Sequence, residues 1–223
     1  GFLVVRALYA PDEVAEISAW TDEVAHYPEV PGKYMMYFEK SRSDGSRIIC
    51  RIENFVPYHP GFSKLITARR MQQAVSELFG EEAVLFKDKI NFKLPGGDGF
   101  KEHQDVQAGW DAFADLHITA MIAIDETNEA NGSLEMIAGM HTQGVLGSMW
   151  APLTNEDTHN FQYQPVHCQP GDAIFFDSYA PHRSQPNRTD KARRVLYITY
   201  NKASQGDSRE QYYADKRRNY PPD

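Results

Sequence analysis

The chain opens with a short apolar run and then changes to a helical hydrophobic period. Gly1–Tyr9 reads as a first strand. After Pro11, apolar residues recur every three to four positions, at Val14, Ile17 and Trp20 and onward. This spacing, behind a proline and two acidic residues, predicts an amphipathic helix that lies against the core.

The next elements are two strands and a second helix. Tyr34–Lys40 and Arg47–Asn54 alternate as strands do, and the Asp44-Gly45 pair between them favours a hairpin connection. A second helix is predicted to begin after His59-Pro60 and to end at Gly80, because its apolar residues keep the helical spacing throughout.

From residue 83 onward, short apolar stretches alternate with turns that carry Gly or Pro. They predict strands near Ala83–Leu94, Leu116–Ile124, Ser133–Ile137, Pro165–Cys168, Asp172–Asp177 and Arg193–Tyr200. Strands and helices do not alternate and no repeat is present, which argues against a doubly wound parallel sheet and a solenoid. The pattern favours an α+β protein with a β-sandwich or jelly-roll faced by helices. The polar segment 204–223 reads as a surface extension.

Composition narrows the classes of partner. The 223 residues carry a net charge of −8 without a block of Lys or Arg, which argues against a nucleic-acid partner. No apolar run reaches the ~20 residues of a membrane helix, and no signal-peptide pattern stands at the start. Cys50 and Cys168 lie outside any zinc-type spacing, so we expect reduced thiols and a cytoplasmic protein.

Candidate chemistry begins directly after the turn Pro95–Gly99. If His103-Gln104-Asp105 is extended, His103 and Asp105 share one face of the strand and Gln104 points to the other. This would supply two of the three ligands of a metal site. A His-x-Asp also occurs by chance as a solvated pair, so distant residues must decide between the two interpretations.

A second group of polar residues follows the strand Asp172–Asp177. His182 comes five residues after this strand, and Arg193 begins the next strand eleven residues later. Two imidazoles and one carboxylate would leave three positions open on an octahedral ferrous ion, enough for a chelating 2-oxo acid and O₂. The fork of an Arg can pair with the far carboxylate of 2-oxoglutarate. Arg194 competes for that role, and strand alternation lets only one of the two point inward.

These segments, in their order, resemble the phytanoyl-CoA dioxygenase (PhyH) superfamily of Fe(II)/2-oxoglutarate oxygenases. The resemblance runs over nearly the whole chain and is carried by His103-x-Asp105, Asn131–Leu134, Ile137–His141, Pro170–Asp172 and His182-x-Ser184 with Arg193. It implies a double-stranded β-helix core (83–203) supported by strands and helices in 1–82, all within one oxygenase domain, 1–223.

The resemblance also implies roles for individual residues. Iron would be held by His103, Asp105 and His182, and the cosubstrate 2-oxoglutarate by Arg193 with help from Ser184. In halogenating relatives the carboxylate ligand is replaced by a small residue, so Asp105 favours hydroxylation. His141 reads as structural.

One face of the predicted strand that precedes the turn Pro95–Gly99 is polar. Its alternate residues are Lys87, Lys89, Asn91 and Lys93. A solvated face explains this pattern, and we assign Lys93 to it. For Asn91 and Lys87 a second interpretation stays open, namely contact with 2-oxoglutarate or another anion if this face lines the barrel.

Three further segments carry a narrower resemblance: Lys87–Lys93 running into Pro95–Phe100, His103–Asp105 followed by Gln107–Trp110, and Phe175–His182. Within the superfamily they most resemble the 2-aminoethylphosphonate hydroxylases. A phosphonate calls for cations, and an amine for a carboxylate or an aromatic face. The candidate substrate residues are Arg51, Glu53, Asn54, Gln107 and Trp110. The alternatives are a hydroxylase of an amino acid or natural-product scaffold, and a non-catalytic jelly-roll that binds a small ligand.

Overall fold

The computed structural model describes residues 1–222. The strands within them are β1 Phe2–Val5, β2 Met35–Lys40, β3 Arg47–Glu53, β4 Ala83–Lys93, β5 Phe100–His103, β6 His117–Ala123, β7 Leu134–Met136, β8 Gln164–Val166, β9 Ala173–Asp177, β10 His182–Ser184 and β11 Arg193–Lys202. The helices are α1 Pro11–Ala25, α2 Pro60–Thr67, α3 Arg69–Phe79, α4 Asn155–Thr158 and α5 Arg209–Asn219. None of the helices in residues 1–222 combines the length and the hydropathy that a membrane span requires.

Two antiparallel sheets face each other. The larger has the order β1-β9-β6-β11-β4-β3-β2, and the smaller has the order β5-β10-β7-β8. This arrangement, with the first three helices on one side, confirms the predicted jelly-roll faced by helices. The hairpin predicted at Asp44-Gly45 is also confirmed, since β2 and β3 pair antiparallel across it and Gly45 has a φ of 74°.

Strand alternation divides the large sheet into two environments. On β11, Leu196, Ile198 and Tyr200 join the core beneath α1, α2 and α3. Val195 and Tyr197, on the opposite face, join the core between the two sheets. The even-numbered residues of β11 therefore hold the helices, and the odd-numbered residues line the interior of the barrel.

Two local predictions were wrong. The second helix is interrupted at Ala68, whose ψ of 143° is extended, so α2 and α3 are separate helices. The sequence around Ala68 contains no proline or glycine to signal this break. The strands β5 and β10 were also missed as strands, because their sequences, FKEH and HRS, contain a single apolar residue between them and so give no apolar run.

The C-terminal segment is not a surface extension, as the polar sequence suggested. Residues 209–219 form α5, and Tyr212 and Tyr213 on it are buried. The anchor is Asp88 of β4, which is fully buried. Its carboxylate accepts hydrogen bonds from Arg209 and Tyr213 of α5 and from the backbone N–H groups of 55 and 56. The helix is polar in composition because one face docks through buried polar contacts rather than through an apolar stripe.

We expect Asp88→Ala to lower the free energy of unfolding by about 3 kcal/mol or more, because it leaves the Arg209 guanidinium buried without its partner. Urea denaturation followed by circular dichroism measures this loss. Asp190→Ala, at an exposed loop position, is the matched control and should change stability by less than about 0.5 kcal/mol. Equal stabilities of the two variants would contradict the assignment of Asp88 as the anchor of α5.

Candidate active site

Two histidines and an aspartate meet where the small sheet opens toward the large one. His103 ends β5, His182 begins β10, and the two residues are directly paired across these strands. Asp105 follows after one further residue, Gln104, which is extended. The ligand atoms of the three side chains all lie within 4.8 Å of one another. The structure thus brings the three predicted metal ligands together.

The second ring nitrogen of each histidine is held by the backbone. Nδ1 of His103 lies 2.6 Å from the carbonyl oxygen of Lys101, and Nδ1 of His182 lies 3.0 Å from that of Ala180. A carbonyl oxygen only accepts, so both Nδ1 atoms carry the proton and both Nε2 atoms keep a free lone pair. This tautomer is the one that a metal ligand needs.

The charge states also suit a cation. Burial, followed by the nearby His182, lowers the pKa of His103 to about 4, so its imidazole is neutral at pH 7. Burial alone would raise the pKa of Asp105, but its neighbours His182 and Lys89 outweigh burial, and the pKa is lowered. Two imidazoles that are each held through Nδ1 by a backbone carbonyl, together with one ionised carboxylate, form a donor set that fits Fe(II) with positions left open.

Gln104 fixes the geometry of the tripeptide from the opposite face. Its amide nitrogen donates to the carbonyl oxygens of Gly144 and Tyr179 at 2.8 and 2.7 Å, and its amide oxygen accepts from the N–H of Leu146 at 2.6 Å. The side chain is therefore locked into the loop that follows β7. Rotation of the backbone at His103 or Asp105 would break these contacts.

A charged clasp holds β5, β10 and β7 together beside the triad. Arg183, next to His182, donates to Glu102, next to His103, and to Glu135 of β7, each at 2.7 Å. The clasp therefore joins the immediate neighbours of both histidines. It fixes the separation of the two imidazoles, which the short strand pairing alone would leave weakly determined.

The two candidate arginines point in opposite directions. Arg194 lies on the outer face and forms a two-point contact with Asp125, at 2.9 and 2.8 Å. Arg193 points inward and is 2% exposed. It donates to the carbonyl oxygen of Gly132 at 2.6 Å, and its Nε has no partner within residues 1–222.

Lys93 was predicted to lie on a solvated face, and this prediction was wrong. The residue lies in the interior, paired with Arg193 of the neighbouring strand. Its ammonium donates to Ser184 Oγ at 2.8 Å and to the carbonyl oxygen of Gln185 at 2.6 Å. Burial and the charge of Arg193 lower its pKa to about 6. The alternation of residues along the strand correctly placed Lys93 on the same face as Asn91. Alternation alone does not reveal which face of a strand is the interior. Arg193 is a buried cation without an ion pair in the described chain, and a bound anion would favour the charged form of Lys93 beside it, so this end of the barrel suits an anion.

The interior cavity continues from the triad along β4 and β11. It is lined by Lys87, Lys89, Asn91, Phe100, His103, Asp105, Trp110, Thr119, Leu134, His182, Arg183, Ser184, Tyr197 and Thr199. The Asn91 side-chain oxygen has no partner within residues 1–222, and Thr119 and Thr199 share a hydrogen bond of 2.9 Å. Asn91 and Lys87 therefore face the cavity rather than bulk solvent.

A second cavity of about 450 Å³ opens outward from the same residues. Four of the five candidate substrate residues, Arg51, Glu53, Gln107 and Trp110, line it. The Gln107 amide nitrogen, however, is occupied by three carbonyl oxygens of the 146–151 loop. Asn54 lines neither of these cavities, because the chain turns at its φ of 57° and its side chain accepts a hydrogen bond from Arg209.

Lys89, Lys216 and Tyr212 are among the cavity residues that were not identified from the sequence. Lys89 lines both cavities and was visible only as one member of the polar strand face. Lys216 reaches the outer cavity from α5, and Tyr212 lines an adjoining groove. No signal pointed to the last two, because a polar C-terminal segment gives no periodic pattern.

Comparison with known proteins agrees with this geometry. Residues 1–195 match the family described as Phytanoyl-CoA dioxygenase (PhyH). The chain is 40% identical, over 228 aligned residues, to a 2-aminoethylphosphonate dioxygenase of Uncultured bacterium HF130_AEPn_1, covering 100% of this chain and 86% of that protein. It is 39% identical to a methylphosphonate hydroxylase of Gimesia maris, covering 99% of this chain and 84% of the relative.

Solved structures share the fold. A crystal structure of EctD from S. alaskensis with 2-oxoglutarate and 5-hydroxyectoine superposes with a TM-score of 0.78 at 22% identity, covering 92% of this chain and 73% of that one. The same protein with bound Fe gives a TM-score of 0.76 at 22% identity, with coverages of 92% and 74%.

We expect His103→Ala to weaken Co(II) binding by more than about 100-fold, because it removes a ligand rather than an outer contact. Anaerobic titration followed by visible absorption measures the affinity. His167→Ala is the control, since that exposed imidazole lies outside the triad. Unchanged Co(II) affinity in His103→Ala would exclude this cluster as the metal site.

Arg183→Gln should weaken Co(II) binding by about tenfold, because the clasp no longer fixes the two imidazoles. A positioning role predicts that the KM for 2-oxoglutarate stays close to that of the unmodified protein while metal affinity falls. Arg188→Gln, in an exposed loop, serves as the control. Metal affinities that match between the two variants would assign the clasp to stability alone.

Proposed function

The chain belongs to the phytanoyl-CoA dioxygenase (PhyH) family and is a 2-oxoglutarate-dependent dioxygenase, and from this premise we propose that it hydroxylates a C–H bond of a small organophosphonate. The observation that carries the proposal is the position of Lys87 and Lys89, which line both cavities beside His103 and Asp105. A phosphonate near neutral pH is an anion that needs such cations, and the named relatives act on phosphonates. 2-Aminoethylphosphonate is the first candidate substrate and methylphosphonate the second.

His103, Asp105 and His182 would hold Fe(II), and the protonated Nδ1 atoms keep both imidazoles in the ligating tautomer. When bound together, Fe(II), 2-oxoglutarate and O₂ supply the oxidation, in which 2-oxoglutarate becomes succinate and CO₂ and one oxygen atom enters the substrate C–H bond. The protein's part is to orient both organic molecules and to exclude water.

Arg193 is the residue that we assign to the far carboxylate of 2-oxoglutarate, with Ser184 and Lys93 beside it. Its guanidinium is buried, points inward and makes no ion pair in the described chain, whereas Arg194 is paired with Asp125. Lys93 donates to the Ser184 hydroxyl, which orients that hydroxyl toward the same space. Asn91, with its free side-chain oxygen, and Lys87 extend the polar lining from there to the triad.

Succinate release tests the proposal against the other substrate classes. The protein with Fe(II), 2-oxoglutarate and O₂ is incubated with phosphonates, amino acids and betaines, and the products of the phosphonates are followed by ³¹P NMR. We expect succinate and a hydroxylated phosphonate in equal amounts. Coupled turnover of amino acids or betaines, with none of phosphonates, would refute the phosphonate assignment. A protein that Fe(II) and 2-oxoglutarate together fail to stabilise against heat would be a non-catalytic module.

We expect Arg193→Gln to raise the KM for 2-oxoglutarate by about 10- to 100-fold, because a charge-assisted hydrogen bond contributes roughly 1.5–3 kcal/mol. Arg194→Gln, the neighbouring residue on the opposite face, should leave this KM within about twofold, because its guanidinium is held by Asp125 and lines neither cavity. Steady-state succinate formation at saturating phosphonate measures both. The reverse order of the two effects would assign the cosubstrate to Arg194.

A further inference from the structure

The two cavities contain very few negative charges. Within residues 1–222, the side chains that line them include only two carboxylates, Asp105 and Glu53. Asp105 belongs to the triad and is committed to the metal. Glu53 is therefore the one carboxylate left in these two cavities to receive an ammonium group on a substrate. Asp215 lines the adjoining groove, where it accepts a hydrogen bond from Gln211 and lies 3.5 Å from Arg218.

Glu53 is not available for that task. Its carboxylate is 1% exposed, with Oε1 at 3.0 Å from Arg51 Nε and Oε2 at 3.4 Å from Lys87 Nζ. Lys216 of α5 donates to Oε2 as well. Burial would raise the pKa of Glu53, but the charges of Lys216 and Lys87 outweigh it and hold the pKa below its usual range. The carboxylate lies beneath three cations and compensates their charge.

The cations outnumber it. Arg51, Lys87, Lys89, Lys101 and Lys216 all line the outer cavity, and neither Lys89 nor Lys101 makes an ion pair in the described part of the chain. Burial lowers the pKa of Lys89 to about 8 and the pKa of Lys216 well below its usual range, but the pKa values of Arg51 and Lys87 are raised, and these two cations alone already outnumber the carboxylate. The cavity therefore keeps a positive surplus, which favours a ligand with two negative charges and gives an ammonium group no attraction.

The aromatic walls do not offer the amine an alternative. Lys87 lies 5.4 Å from the centre of the Trp110 ring and 5.6 Å from that of Tyr212, and Lys216 lies 5.8 Å from the Tyr212 ring. The faces of Trp110 and Tyr212 are therefore already in contact with lysine side chains. Phe100 lies 5.7 Å from Lys93, and Trp150 stacks on Tyr220 with ring centres 5.8 Å apart, so together they complete a wall that suits an apolar substituent.

We propose that the site recognises the phosphonate group alone and makes no ion pair with an amine, so that its substrate class is small alkylphosphonates with or without an amino group. This inference rests on the proposed function. In each reaction one C–H hydrogen is replaced by hydroxyl, while 2-oxoglutarate and O₂ are consumed and succinate and CO₂ are formed. Glu53 acts as a charge-compensating residue that keeps the cations in place.

The test compares 2-aminoethylphosphonate with propylphosphonate, in which a methyl group takes the place of the ammonium at nearly the same size. We expect their kcat/KM values to agree within about tenfold, whereas a site that pairs with the amine would reject the propyl compound by about 10²-fold or more. Binding is measured separately without O₂, from the change that each phosphonate causes in the visible absorption of the protein with Fe(II) and 2-oxoglutarate.

Two variants separate the roles of the charges. Glu53→Gln should change the affinities for both phosphonates by the same factor, and Lys216→Met should weaken both by the same factor, about tenfold. Thermal unfolding and Co(II) affinity establish that each variant is folded. A loss confined to 2-aminoethylphosphonate in Glu53→Gln would show that Glu53 binds the amine and would overturn the inference.

The outcomes also distinguish this inference from the function on which it rests. If 2-aminoethylphosphonate is hydroxylated and propylphosphonate neither binds nor reacts, the phosphonate assignment stands and amine independence is refuted. If no phosphonate binds or reacts, both are refuted. Turnover of both compounds at comparable kcat/KM supports both.

Discussion

A positively charged group that leaves water must find a negative charge or several hydrogen-bond acceptors. The interior of this barrel contains more basic side chains than carboxylates. Lys87, Lys89 and Lys93 lie on the inner face of β4, and Arg193 faces them from β11. Glu53 compensates one end of this row. The other end has only backbone carbonyls and Ser184. The anionic cosubstrate and substrate that we propose would complete this balance of charge.

The register between β4 and β11 determines where each of these charged side chains lies along the barrel. Arg193 pairs with Lys93, Val195 with Asn91 and Tyr197 with Lys89, so charged and aromatic groups follow one another from the bottom of the barrel to its mouth. The same alternation sends Asp88 to the opposite face, where it anchors α5. One strand thereby supplies both the lining of the cavity and the attachment of the helix that covers it.

Much of the site could be predicted from the sequence because its chemistry is local. His103 and Asp105 share a tripeptide, and His182 and Arg193 flank one turn, so residue type and spacing identified them. The interior position of Lys93 could not be predicted, since a strand with one polar face has the same pattern whether that face meets solvent or a cavity. Lys216 and Tyr212 could not be predicted either, because their helix docks through Asp88, a contact between residues more than a hundred positions apart.

The residues of helix α5 that attach it to the barrel are different from those that face the cavity, and this separation bears on how such a protein diversifies. Arg209 and Tyr213 fasten it to β4, while Tyr212 and Lys216, one turn apart, face the substrate side. The triad stands on strands that this helix does not contribute to. Mutations on the cavity face of α5 can therefore change which substrates fit, and selection can act on that choice without disturbing the oxidising centre.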